Sequence, residues 1–176
     1  MGDSPTVPAA NIQSILQRLR FRSSHVERSA VFEVLRQLPR KPPYDYVRFL
    51  YTYGGGNFDI ELVVRCSTPP PISSDGACGF DEFLSPGDGV GSLNARLGRQ
   101  AADDRLIPIA SAPSDDLYCL RWSEREGWDV VFWDHDSGLS YSAASSFEDL
   151  VERLEVVPEA PEVSGDVTRR IDPDLL

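Results

Sequence analysis

The chain has 176 residues, 28 acidic against 17 basic, for a net charge of -11 at neutral pH, and 41% of it is apolar. That length and apolar content suit one domain with its own core, and the negative surplus argues against a nucleic-acid backbone as a direct ligand. The charge is uneven: the first 50 residues hold eight basic residues and four acids, the remainder nine against 24, so the body of the protein suits a basic protein partner.

No stretch of 18 apolar residues is present, and no positive-then-apolar leader opens the chain. The expectation is a cytoplasmic protein with no membrane partner. Cys66, Cys78 and Cys119 are odd in number and stand at spacings unlike those of metal-binding pairs, which predicts reduced thiols and no metal. None lies at a helix start or in a basic run that would activate a thiolate.

Residues 1–10, with two prolines and no periodicity, read as a flexible arm. From Asn11 as N-cap, Ile12, Ile15, Leu16 and Leu19 recur at helical spacing. Val31, Val34, Leu35 and Leu38 mark a second helix that ends before Pro39. A third opens at Pro42-Pro43, carries Tyr46, Phe49, Leu50 and Tyr53 on one face, and stops at Gly54-Gly55-Gly56.

Phe58, Ile60, Leu62 and Val64 then alternate as in a half-buried strand. Residues 65–79, rich in Pro and Ser, read as a surface loop. Residues 80–84 are apolar again, the glycine-rich run from Gly87 to Ser92 reads as a flexible turn, and a short helix is expected over 92–101. Three strands follow at 105–110, 116–122 and 128–134, joined by short turns as a meander. Ser145 and Glu148 form a candidate capping box ahead of Phe147, Leu150, Val151 and Leu154. Residues 155–176 read as an acidic, proline-containing tail, which leaves residues 11–154 as the domain.

Several of these segments are worded alike with a known family. Ile107-Pro108-Ile109-Ala110, then Asp116 with Cys119-Leu120, then a strand closing on Asp134-His135 resemble the core of the SUKH superfamily (Smi/Knr-like). So do the third helix, through Pro43, Asp45, Tyr46, Phe49, Leu50, Gly54 and Gly55, and the serine- and phenylalanine-led last helix. The likeness spans about residues 43–154; Tyr53 stands where the family usually carries Asn, and the Leu-Pro pair falls earlier, at Leu38-Pro39.

The resemblance implies a single α+β domain, with a twisted, mainly antiparallel sheet packed with N-terminal and C-terminal helices. For function it implies a bacterial immunity protein that binds a cognate toxin, of nuclease type, and neutralises it by stoichiometric occlusion without cofactor or catalysis. The superfamily also contains a yeast cell-wall-synthesis regulator, so a regulatory protein–protein interaction module is the alternative. Oligomeric state is left open by the residues.

Asp134-His135-Asp136 is the one place that invites catalysis or metal binding. Adjacent residues on a strand face opposite ways, so the imidazole converges with both acids only if the strand has ended. The plainer expectation is a strand terminus whose acid and imidazole tie down the turn at Ser137-Gly138. No nucleophile elbow, phosphate loop or EF-hand spacing is present. Between Asp115 and Asp136 the chain carries seven acids, two arginines and three tryptophans. Carboxylates steer a basic partner and tryptophans anchor it. Asp115, Asp116, Trp122, Glu124, Glu126, Trp128, Asp134 and Asp136 are therefore the expected toxin-binding residues, with Trp133 assigned to the core.

Overall fold

The structure, a computed structural model, describes residues 10–71, 73, 75–87, 92, 93, 96 and 106–157. The first helix, α1 (Ala10–Arg18), buries Ile15 and Leu16. Because it already runs at Ala10, Asn11 lies inside it and is not its N-cap, a correction to the sequence reading. A three-residue strand, β1 (Phe21–Ser23), follows. Next come α2 (Arg28–Gln37) and α3 (Tyr44–Tyr53), with Val31, Val34, Tyr46, Phe49 and Leu50 on their buried faces.

The glycine run after α3 has two separate reasons to exist. Gly54 caps the helix at φ 71°, the left-handed region a side chain disfavours, and its N–H bonds to Leu50 O at 2.8 Å. Gly56 lies so close to β1 that a Cβ would stand 2.1 Å from the Arg22 carbonyl oxygen.

From there the chain is mostly sheet: β2 (Gly56–Arg65), β3 (Ala77–Phe83), β4 (Leu106–Ser111), β5 (Leu117–Ser123), β6 (Gly127–Trp133) and β7 (Ser140–Ala144). Helix α4 (Phe147–Glu152) and strand β8 (Leu154–Val156) complete it. Neighbours pair antiparallel in the order β1 to β7, and β8 pairs with β2. The loop after β2 also reaches across: the N–H groups of Ser67 and Thr68 donate to Ala143 O and Ser142 O of β7, at 3.2 and 2.8 Å. The sheet is therefore curled until its first long strand meets its last.

Some expectations shift. The loop after β2 ends earlier than read, because Ala77, Cys78 and Gly79 pair with Arg65, Val64 and Val63. β1 and β7 are too short or too polar to show an alternating pattern, and form because a neighbouring strand offers them a ladder. β8 extends the paired structure past Leu154, against Leu62–Val64. The capping residue of α4 is Ser146, whose Oγ accepts the Asp149 N–H at 3.0 Å, while Asp149 Oδ2 accepts from the Ser145 N–H and hydroxyl. The expected Ser145–Glu148 box is thus moved by one residue, since Phe147 must begin the helix to enter the core, where it is fully buried. Of the helix expected over 92–101, only Ser92, Leu93 and Arg96 are described, with an Arg96 N–H to Ser92 O bond of 3.1 Å. The rest of it, most of the glycine-rich turn and the two terminal segments at 1–9 and 158–176 lie outside the described residues. Among those described, no helix is long and apolar enough to cross a membrane.

Helices α1, α3 and α4 close over one face of the sheet, where Tyr46, Phe49, Phe83, Tyr118, Phe132 and Phe147 form the main core. On the other face Leu106, Leu117, Cys119 and Val131 form a smaller cluster against Trp133. Leu150→Ala is expected to cost about 2–5 kcal/mol in urea melts, the range for emptying a buried leucine site. Tyr46→Phe is expected to leave stability unchanged or raise it by about 1 kcal/mol, because the Tyr46 hydroxyl is buried without a hydrogen-bond partner among the described residues. Truncation after Arg153 is expected to lower the urea midpoint by removing β8, whereas truncation after Val157 leaves it in place.

Candidate functional site

The β5–β6 hairpin positions all eight expected binding residues, and it does not bring them together. Its middle is buried on both faces, with Leu117 to Leu120 and Val130 to Phe132 inaccessible. Polar function is therefore displaced to its ends, separated by roughly 20 Å for seven-residue strands at 3.3 Å per residue. Asp115, Asp116, Asp134 and Asp136 collect at one end; Trp122, Glu124, Glu126 and Trp128 surround the turn at the other.

The acidic end is built around strand termini. Before β5 the chain makes a single 3₁₀ turn at Pro113–Asp115, in which Ser114 and Asp115 both take φ 65°. This conformation, costly for residues with a side chain, turns Asp115 outward, with its carboxylate 70% exposed and in contact with Arg96 at 3.2 Å. Asp116 is buried, and its Oδ1 accepts two hydrogen bonds from His135, one from the backbone N–H and one from Nδ1, each at 3.0 Å.

Asp134 ends β6 and organises the turn that follows. Its Oδ1 accepts the Asp136 N–H at 2.9 Å and the Ser137 N–H at 3.3 Å, and its Oδ2 accepts the Ser137 hydroxyl at 2.7 Å. The Ser137 hydroxyl and these N–H groups hold the Asp134 carboxyl below the ordinary aspartate range. Because β6 has ended, His135 converges with acids: Nδ1 on Asp116 and Nε2 on Asp136 at 3.1 Å. The hydrogen bond to Asp116 raises the imidazole pKa above the ordinary histidine value, and the charges of Asp136 and Asp115 add to it. As expected, the acid at the strand terminus ties down the Ser137-Gly138 turn; the imidazole instead reaches back to β5.

Asp116, Asp134 and His135 offer ligand atoms within 4.8 Å of one another. Asp116 Oδ1 and both Asp134 oxygens already accept protein hydrogen bonds, which hold these side chains in place.

At the opposite end Trp122 and Trp128 are cross-strand partners, their ring centroids 5.3 Å apart and edge-to-face. Both are half-buried, as is Trp133, which packs on the smaller cluster and is not a fully enclosed core residue. The Trp pair lines a cleft of about 330 Å³ with Arg40 and Lys41. The Arg40 guanidinium stands 5.6 Å from the Trp122 ring centre. The aromatic end thus sets its tryptophans beside cations, which no local signal in the sequence announced, because Arg40 and Lys41 arrive from the linker between α2 and α3.

The comparison with known families fits this geometry. The family model described as "SMI1 / KNR4 family (SUKH-1)" matches residues 28–153, and the chain belongs to that family. The match covers α2, α3 and α4, the strands from β2 to β7 and the His135 turn, and leaves out α1 and β1. No curated protein matches the chain.

The pairing of His135 with Asp116 gives a pH-dependent contribution of definite sign. A raised folded-state pKa stabilises the turn fully below the ordinary histidine value, and the contribution fades as pH rises through the raised one. In an NMR titration of the imidazole C–H signals, His135 is expected to titrate above the ordinary histidine value, and Asp116→Asn to bring its midpoint back down.

Proposed function

We propose that this SUKH-1 protein is an immunity protein that binds a cognate basic toxin, of nuclease type, and occludes it stoichiometrically, without turnover or cofactor, in the cytoplasm. The observation that carries the reading is the gathering of Asp115, Asp116, Asp134 and Asp136 at one end of the β5–β6 hairpin, held by turns whose hydrogen bonds are internally satisfied. A nuclease has to present cations to its phosphate substrate, and a preorganised carboxylate cluster competes for that surface at little ordering cost. Asp115 and Asp136 are exposed, with side chains 70% and 87% accessible, and would supply the contacts; Asp116 and Asp134 would hold them in place.

Of the eight residues expected to bind, the acidic four make the better toxin-facing surface. The tryptophan end carries Arg40 and Lys41 beside its aromatic rings, an unfavourable match for a basic partner.

The test is association kinetics against a basic nuclease toxin, sought first as the product of an adjacent gene. Asp115→Lys with Asp136→Lys is expected to slow association by about tenfold or more at low ionic strength and much less at high salt, because steering acts through long-range charge. Glu124→Lys with Glu126→Lys, at the far end of the hairpin, is expected to change it little. Equal effects of the two pairs would remove the acidic end as the docking surface.

A further inference from the structure

The β2–β3 hairpin carries two thiols that the docking surface leaves unused. Cys66 directly follows β2 and Cys78 is the second residue of β3. The register sets Val64 opposite Cys78, and the Cys66 N–H bonds to Gly76 O at 3.0 Å. Both side chains therefore stand on the same face, as diagonal neighbours across the pair. Their Sγ atoms are 3.5 Å apart, and both residues are buried. An S–S bond is about 2 Å long, so closing it requires the two sulfurs to approach by about 1.5 Å.

The surroundings also correct the expectation that no cysteine sits in an activating setting. The Cys78 thiol donates to Cys66 and lowers its pKa, with the Arg153 charge adding, while the same contact and burial raise that of Cys78. A cavity of about 170 Å³, lined by Ser73, Ala77, Cys78, Gly79 and Asp116 among others, reaches the Cys78 side of this pair. Cys119 belongs to the cluster on the opposite face of the sheet and lies apart from the pair.

We propose that Cys66 and Cys78 are a redox modification site: a dithiol that closes to an intramolecular disulfide with a low-molecular-weight disulfide as co-reactant, fastening the base of the loop between β2 and β3. In the first step the Cys66 thiolate attacks one sulfur of the co-reactant, forming a mixed disulfide and releasing one thiolate. Cys78 then gives its proton to the thiolate released in the first step and attacks Cys66 Sγ, releasing the second thiolate, which is protonated from water. The two cysteines are oxidised by two electrons and the co-reactant is reduced to two thiols. The proposal is independent of which protein the acidic end binds.

The test uses the folded full chain in oxidised glutathione, beside Cys66→Ser, Cys78→Ser and Cys119→Ser variants. In the wild type and in Cys119→Ser, the expected product has lost two hydrogen atoms by intact mass and yields a Cys66–Cys78 linked peptide. Its thermal midpoint rises by about 5 °C or more, and dithiothreitol reverses the change. Cys78→Ser is expected to stop at a glutathione adduct on Cys66, with no midpoint rise. Hydrogen exchange is expected to slow across residues 66–78 in the oxidised protein. A link that forms only in urea, a link that involves Cys119, or a native protein that stays fully reduced would each overturn the assignment.

Discussion

The structure depends on one aromatic junction, where helices from the two ends of the chain meet the sheet. Phe49 of α3, Phe147 of α4 and Phe83 of β3 form a triangle with ring-centre separations of 5.1, 5.7 and 4.8 Å, and Tyr46 adds a fourth ring 5.2 Å from Phe147. Such rings bury large apolar areas and prefer tilted or edge contacts, so each fixes its neighbours' angle as well as their distance. Asp45 reinforces the junction: its carboxylate accepts the N–H of Tyr46 at 2.9 Å and the N–H of Glu148, 103 residues away, at 3.3 Å. One negative charge thereby sits in the first turns of both α3 and α4, where the helix dipole favours it.

The same long-range closure manages the edges of the sheet. β1 and β8, from opposite ends of the described chain, pair with successive parts of β2 on the side away from β3. A long strand that would otherwise present unpaired N–H and C=O groups is thereby covered. At the opposite margin β7 receives the Ser67 and Thr68 N–H groups. With its edges occupied and its centre buried on both faces, the sheet keeps only its loop-bearing ends for recognition.

Those two ends have different chemistry. One is a carboxylate cluster in which buried Asp116 and Asp134 spend their oxygens on the local turn and leave Asp115 and Asp136 facing solvent. The other is a pair of tryptophans against Arg40 and Lys41. A partner that engages one end by charge is poorly matched to the other, so the fold separates two potential contacts that lie within 22 residues of each other in the chain.

The sequence by itself determined the α+β class, the three N-terminal helices, the meander and the last helix, because each rests on a periodicity or a turn residue that acts locally. The wording around Pro43 to Gly55, Ile107 to Leu120 and Asp134-His135 also pointed to the family that the comparison then established. The division of the binding candidates is different in kind. Eight residues adjacent in sequence read as one surface, and only the hairpin, by burying the stretch between them, sends four to each end. Arg40 beside Trp122 and Cys66 beside Cys78 are likewise products of packing and strand register. Helical and strand periods report which face a residue occupies; which other segment meets that face is decided by the closure of the whole sheet.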